Sequence, residues 1–284
     1  MSHVPEFRLA VLGSPIAHSK SPALHAAAYG VLGLDWDYDA IEVTGDTLAD
    51  FVDSRDSSWR GLSLTMPLKR DVLPLLDRTD PLATLTGSAN TVLFRGKGAK
   101  RYLHGFNTDV FGITRAVEQR GRSGIRVVQV LGGGATAASA IVAAQLLGAE
   151  RVYVSVRTPD RAMDLVALGE RAGVEVRIGT LDAAGLVANV PDLIISTLPN
   201  GADVSVAFSE HTMRSSLLFD VAYHPWPTTL GTAWQAVGGE VIGGLDMLVL
   251  QALIQVRIFV NGSAEQLVPR EAAVLAAMYA TVGL

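Results

Sequence analysis

Residues Ile125 to Leu131 form an apolar run that leads straight into GGGATAASA, and a second apolar run, Val152 to Val156, follows. Between them the pattern predicts a helix reaching about Leu147 and Gly148. Gly132 and Gly134 make a G-x-G, with Ala137 as the third small residue. Strand, glycine turn, helix and strand is the context that a dinucleotide-binding loop requires. The glycines let the backbone approach a pyrophosphate, and the helix N-terminus faces it. The competing reading is a tight turn that packs helix on sheet and holds no ligand. Either way, the segment commits this part of the chain to a parallel sheet with crossover helices.

Flanking segments repeat the theme. Val174 to Ile178, Asp192 to Ser196 and Leu217 to Val221 read as further strands. Arg8 to Leu12, Asp37 to Val43 and Leu62 to Thr65 read as an earlier set. The fold class expected is therefore α/β. A length of 284 residues suggests two domains or one large one. With 49% hydrophobic and 18% charged residues, the chain has ample surface to bury.

Several function classes are disfavoured. A net charge of −5 gives no basic patch for nucleic acid. Cysteine is absent, and the six histidines lack the close pairing of a zinc site, so no metal is expected. No apolar run is expected to approach the roughly 18 residues of a membrane span. The first residues, MSHVPEFRLAVLG, lack a basic region leading into an apolar core, so no signal peptide is expected. A soluble cytoplasmic protein with no membrane or nucleic-acid partner is the expectation.

Candidate site residues lie mostly in loops after strands. GSPIAHSKSP follows the first strand, with Ser19 and Ser21 beside the start of a helix that runs toward Gly33. The two hydroxyls suit an anionic or polyhydroxylated ligand, or Ser21 simply caps the helix, with Pro22 in its first turn. Thr65, Met66 and Pro67 end the Leu62 strand, and Lys69 follows. Lysine is a compact cation that can also give up a proton, although on this stretch alone a solvated surface lysine is the better reading. RDVLPLLD reads as helical despite Pro74. Asn90, in GSANTVLF, offers both a donor and an acceptor to a ligand hydroxyl, or bonds its own turn. Asn107 or Thr108 caps a helix ending near Gly121, and Asp109 in its first turn complements the helix dipole. Tyr223 in DVAYHPWPTTL either faces a cleft or is buried for structure. Gln251 and Gln255 lie on a long apolar helix ending at Gly262, where glutamines ordinarily face outward.

The second strand of the dinucleotide segment bears on the cofactor. A site for NAD normally carries an acid there for the ribose hydroxyls. Here Val156 is followed by Arg157, Thr158, Pro159, Asp160 and Arg161. Two guanidinium groups suit the 2′-phosphate of NADP. In the alternative both arginines are solvated and Asp160 serves the ribose.

Together these motifs resemble the shikimate dehydrogenase family. The opening loop G-x-P-I-x-H-S-x-S-P-x-x-H is met by Gly13 through His25. T-x-P-x-K is met by Thr65, Pro67 and Lys69, and G-x-x-N-T by Gly87, Asn90 and Thr91. N-T-D-x-x-G is met by Asn107, Thr108, Asp109 and Gly112. The glycine loop, R-T-x-x-R, D-x-x-Y-x-P and G-x-x-M-L-x-x-Q follow in order, at Gly132, Arg157, Asp220 and Gly244.

The resemblance implies an N-terminal α/β substrate domain over 1–108 and a Rossmann-like doubly wound NADP domain over 109–243. It also implies C-terminal helices over 244–284 that return to the substrate domain. The implied activity is NADP-dependent reversible reduction of 3-dehydroshikimate to shikimate. The implied substrate contacts are Ser19, Ser21, Thr65, Asn90, Asp109 and Gln251, with Tyr223 nearby. Lys69 and Asp109 are the implied catalytic pair: the cation stabilises charge on the ketone oxygen and delivers a proton, and the carboxylate favours and orients it. The implied cofactor contacts are Gly132, Gly133, Gly134, Ala135, Thr136, Ala137, Arg157, Thr158, Arg161, Thr197, Val221 and Gly244. The TLPNG loop lies beside the nicotinamide in this scheme, and the protein is a monomer or homodimer.

The chain departs from the family pattern at Ser63, where asparagine is common, at Val156, and at Ala138 in the glycine loop. The Ser63 departure implies that one substrate hydrogen bond is lost or taken by water. The rival readings are an NAD-dependent quinate/shikimate dehydrogenase and a non-catalytic ligand sensor of the same fold.

Overall fold

The computed structural model describes residues 5–96, 100–199 and 206–284. The chain forms two compact units: one runs to Thr108 and resumes at Leu248, and the other spans Asp109–Met247.

The first unit opens with β1 (Phe7–Gly13), α1 (Ser21–Leu32), β2 (Trp36–Glu42), α2 (Gly45–Asp53), β3 (Trp59–Leu64) and the short α3 (Leu68–Asp71). β4 (Arg78–Thr79), α4 (Pro81–Thr86), β5 (Thr91–Arg95) and β6 (Tyr102–Phe106) complete its N-terminal part. The strands form one mixed sheet in the order β2-β1-β3-β5-β6-β4. β1 pairs parallel with β2 and β3, whereas β5 runs antiparallel to β3 and β6. Leu12, Leu48, Trp59, Leu62, Leu68, Val72 and Val92 are buried together and hold α2 and α3 on the sheet. Each such aliphatic side chain contributes roughly 1.5–3 kcal/mol when fully buried.

Local chemistry explains the element ends. Gly33, at φ 69, takes the left-handed conformation that closes α1. The Asp80 carboxylate accepts from Ala83 N at 2.6 Å and starts α4. The helical stretch expected around Pro74 is broken in two: α3 stops at Asp71 and Pro74 sits in a 3-10 turn, Leu73–Leu75. Proline lacks the N–H that a continuing helix needs.

The second unit contains α5 (Asp109–Glu118), β7 (Val127–Leu131), α6 (Ala135–Leu146), β8 (Arg151–Val156), α7 (Asp164–Ala172) and β9 (Glu175–Thr180). β10 (Leu193–Ser196), α8 (Glu210–Ser215), β11 (Leu217–Asp220), α9 (Thr229–Ala236) and β12 (Val241–Ile242) follow. Its sheet is ordered β12-β11-β10-β7-β8-β9 and every pairing is parallel. With β7 counted first, the order is 6-5-4-1-2-3, the doubly wound arrangement of dinucleotide-binding sheets. The glycine loop leaves β7 at the switch point, beside β10.

α10 (Gly244–Asn261) carries the chain from the second unit back into the first, and α11 (Glu271–Thr281) packs on α1. The division falls inside α10, after Met247. Arg257 of α10 pairs with Glu271 at the start of α11 at 2.5 Å, with both side chains mostly shielded.

α10 corrects two expectations. It has the length and apolar composition of a membrane span, but 67% of it is buried inside the protein. Gln251 and Gln255 do not face outward: they are 7% and 2% exposed. Burying an amide on an apolar helix is tolerable only when it is hydrogen-bonded, and both are.

Candidate active site

Two loops of the first unit meet because β1 and β3 are parallel neighbours. Thr65 N donates to Leu12 O at 2.9 Å, and Ser14 N donates to Met66 O at 3.1 Å. A Cβ on Gly13 would lie 2.4 Å from Thr65 Cγ2 and 2.9 Å from the Met66 carbonyl, so only glycine allows this approach. The next neighbour, β5, adds the turn that carries Asn90. Leu64 N donates to Asn90 O and Ala89 N donates to Lys69 O, both at 2.8 Å. The serine loop, the Lys69 turn and the Asn90 turn therefore share one end of the sheet. Lys69 is half-buried in α3, directly after the fully buried Leu68.

Ser21 is not the cap of α1. Lys20 has helical backbone angles, which draws Ser21 into the first turn, and Ser19 Oγ accepts from Ser21 N at 3.3 Å. Ser21 O accepts from His25 Nδ1 at 3.0 Å. A carbonyl only accepts, so this bond places the imidazole proton on Nδ1. His25 is fully buried and stacks on Tyr38, with ring centroids 3.9 Å apart and planes 12° apart. Burial pushes its pKa down to about 4.

Asn90 is the hub of a buried polar cluster. Its Nδ2 donates to Thr108 Oγ1 at 2.9 Å and to Gln251 Oε1 at 3.1 Å. Its Oδ1 accepts from Thr108 N and from Thr91 Oγ1, each at 2.9 Å. Thr108 Oγ1 also lies 3.1 Å from Gln251 Oε1, and Gln251 Nε2 donates to Leu248 O at 3.0 Å. Asn90 thus does more than bond its own turn. Asn107 Nδ2 turns to Thr86 Oγ1 at 2.9 Å and to Ser88.

Asp109 is the next residue after Thr108 and begins α5. It is 3% exposed, unlike a carboxylate that complements a helix dipole from the surface.

Four residues outside the expected set belong to the cluster or its supports: Thr91, Thr108, Gln255 and Tyr38. Ser63 joins them, donating to Gln255 Oε1 at 3.0 Å and accepting from Tyr38 Oη at 2.6 Å. The replacement of asparagine by Ser63 therefore links two buried groups. The sequence signal for Gln255 was a second amide one helical turn after Gln251; Tyr38 carried none.

In the second unit, Gly132 has φ 110, and a Cβ there would lie 2.5 Å from Thr197 Oγ1. Thr197 Oγ1 donates to Leu131 O at 2.9 Å, so threonine and glycine lock the turn. Gly134 occupies the N-cap of α6 and offers no side-chain cap; a Cβ built on it meets nothing within 4 Å. Open space before the first turn of α6, which Ala135, Thr136 and Ala137 begin, fits a dinucleotide pyrophosphate.

Arg157, Thr158 and Arg161 are exposed just past β8, around the 3-10 turn Pro159–Ala162. Neither arginine forms an ion pair among the described residues. Both guanidinium groups fit a phosphate on the ribose. Asp160 is exposed on the same turn.

Gly244 is held where a Cβ would fall 2.1 Å from Val221 O. Tyr223 is half-buried, and burial raises the pKa of its phenol. Asp220 supports this loop: its carboxylate accepts from Thr228 Oγ1 at 2.6 Å and from Ala222 N at 3.2 Å. Asn200 and Gly201 of TLPNG lie outside the described residues. No cluster of metal-ligating side chains occurs among the described residues.

A Rossmann-ordered sheet with an open glycine turn, and in the same chain an α/β unit with a buried cluster of amides and hydroxyls, place the protein among two-unit dehydrogenases of the dinucleotide-binding class. Comparison with known proteins narrows this. Residues 11–92 match the family model described as the shikimate dehydrogenase substrate binding domain. The shikimate dehydrogenase (NADP(+)) of Methanosarcina acetivorans is 34% identical over 251 residues, covering 85% of this chain and 88% of the relative. The crystal structure of Mycobacterium tuberculosis shikimate dehydrogenase superposes with a TM-score of 0.80 at 36% identity, over 96% of this chain and 99% of that one. The Thermus thermophilus shikimate 5-dehydrogenase, solved in complex with NADP(H) and shikimate, gives a TM-score of 0.79 at 32% identity over 97% and 99% of the two chains. The chain belongs to the shikimate dehydrogenase family.

Proposed function

We propose that this protein catalyses the NADP-dependent, reversible reduction of 3-dehydroshikimate to shikimate, a step of aromatic amino-acid biosynthesis. The observation that carries the reading is the Asn90–Thr108–Gln251 cluster, built at the end of the sheet where the backbone of Lys69 accepts from Ala89 N. Amides and hydroxyls held in fixed orientation are what a ring bearing several hydroxyls requires. Relatives named for this activity, and a relative solved with NADP(H) and shikimate, support the same substrate and cofactor.

Bound NADPH supplies the hydride that reaches the ketone carbon. As charge grows on the substrate oxygen, the Lys69 ammonium stabilises it and hands over a proton from Nζ. Asp109, as a carboxylate, favours the charged lysine and orients it. Ser19, Ser21, Thr65, Asn90 and Gln251 hold the carboxylate and hydroxyls of the ring, with Tyr223 contributing. Gly132 to Ala137 cradle the pyrophosphate, Arg157, Thr158 and Arg161 receive the 2′-phosphate, and Thr197, Val221 and Gly244 line the nicotinamide end. Substrate binding thus falls to residues 1–108 and the C-terminal helices, and cofactor binding to the unit between them. A cytoplasmic enzyme, monomeric or homodimeric, with no nucleic-acid or membrane partner, belongs to the same reading. The test is NADP(H)-linked turnover of shikimate and 3-dehydroshikimate by the purified protein, with quinate and NAD(H) as the rival pair.

A further inference from the structure

A line of buried hydrogen bonds runs from Tyr38 on β2 to Asn90. Tyr38 Oη reaches across β1 to Ser63 Oγ at 2.6 Å, and Ser63 Oγ reaches Gln255 Oε1 at 3.0 Å. Gln255 Nε2 donates to Asn90 O at 3.2 Å and to Thr91 Oγ1 at 3.0 Å. Thr91 Oγ1 then donates to Asn90 Oδ1 at 2.9 Å. Tyr38, Ser63, Gln255, Thr91 and Asn90 are all buried.

Hydrogen-bond chemistry gives every proton in this line one place. The Asn90 carbonyl only accepts, so the nitrogen of the Gln255 amide must face it and the oxygen must face Ser63. That oxygen also only accepts, so the Ser63 hydroxyl spends its proton on it. Ser63 Oγ can then only accept from Tyr38, and Tyr38 must donate. At the other end, Thr108 N–H requires an acceptor, which places Asn90 Oδ1 toward it at 2.9 Å. Thr91 accepts from Gln255 and gives its proton to the same oxygen. Burial raises the Tyr38 pKa, which keeps the phenol protonated as the donor that the line needs.

We propose that Tyr38 is a positioning residue for the substrate site: its hydroxyl, acting through Ser63, Gln255 and Thr91, holds the Asn90 amide in the orientation that receives a substrate hydroxyl. The inference rests on the proposed function in one respect, that Asn90 contacts the substrate. Tyr38 itself touches no reacting atom. Its ring, stacked on His25, serves packing, and its hydroxyl serves the line.

Tyr38→Phe keeps the ring and removes the oxygen. The KM for shikimate should rise about three- to tenfold, the KM for NADP should stay within about twofold, and kcat should fall less than the shikimate KM rises. Ser63→Ala cuts the same line one step further on, so it should raise the shikimate KM by at least as much. It also provides the test if Tyr38→Phe does not fold. The double variant should match Ser63→Ala alone, because Tyr38 has nothing left to act through. Side-chain amide NMR signals of Asn90 and Gln255 should move in Tyr38→Phe, which a role confined to ring packing does not require. If wild-type protein turns over shikimate while both single variants keep its shikimate KM, the role assigned to Tyr38 is wrong and the proposed function stands. Multiplicative effects in the double variant also overturn it. Absence of wild-type turnover with shikimate strikes the proposed function instead, and the amide signals then decide whether the line itself exists.

Discussion

Asn90 Nδ2 donates to Gln251 Oε1 at 3.1 Å, joining residues 161 positions apart in the chain. One residue lies in the turn before β5 and the other on α10, so the two ends of the chain build one polar cluster. Gln251→Ala should weaken shikimate binding by about 1–3 kcal/mol, since it removes an amide and leaves Asn90 without one of its acceptors. Calorimetric titration with shikimate and with NADP separates the effects: shikimate affinity should fall and NADP affinity should hold. Equal loss of both would show that the variant merely loosens the fold.

Lys69 is assigned to the transition state. Lys69→Ala should lower kcat by roughly two orders of magnitude or more, with a smaller change in KM. Steady-state kinetics in both directions provide the check. A raised KM at unchanged kcat would reduce Lys69 to a ground-state contact.

Arg157 and Arg161 stand exposed just past β8, and neither pairs with an acid among the described residues. Replacing both with alanine should cost NADP at least roughly tenfold more than NAD, because each charge-assisted bond to a phosphate is worth about 1.5–3 kcal/mol. Retained selectivity in the double variant would move the discrimination elsewhere on the loop.

His25 makes stability depend on pH. Burial holds its pKa at about 4 in the folded protein, against 6.5 in an open chain. The unfolded chain therefore binds the proton first as pH falls. The stability contribution is complete above about pH 6.5 and is lost progressively down to about pH 4, a change of roughly 3 kcal/mol at most. Thermal unfolding between pH 7 and 4.5 should show a shallower decline for His25→Phe than for the wild type. Parallel curves would mean that other groups govern acid sensitivity.

The sequence was most informative where chemistry is local. The G-x-G after an apolar run required the β7–α6 turn, and the two units place their strands close to where periodicity put them. At Pro74 the local signal is just as direct, since its missing N–H alone divides the expected helix. Long-range partners were not legible. Nothing near Tyr38 in the sequence announces that it reaches across β1 to Ser63, and the burial of Gln255 follows from the packing of α10, which the sequence around it does not display. Ser21 lies one position inside α1 instead of at its cap, because the helical angles of Lys20 are a tertiary outcome. His25 closed a motif whose pattern was visible, but the bond to Ser21 O and the stack on Tyr38 were not.

The most direct test of the account is a single assay: oxidation of NADPH by the purified protein with 3-dehydroshikimate as substrate, repeated with NADH at the same concentration. Family membership, the open glycine turn and the Asn90 cluster predict rapid turnover with NADPH, slower turnover with NADH, and loss of both in Lys69→Ala. No turnover with either cofactor, or a clear preference for NADH, would contradict it.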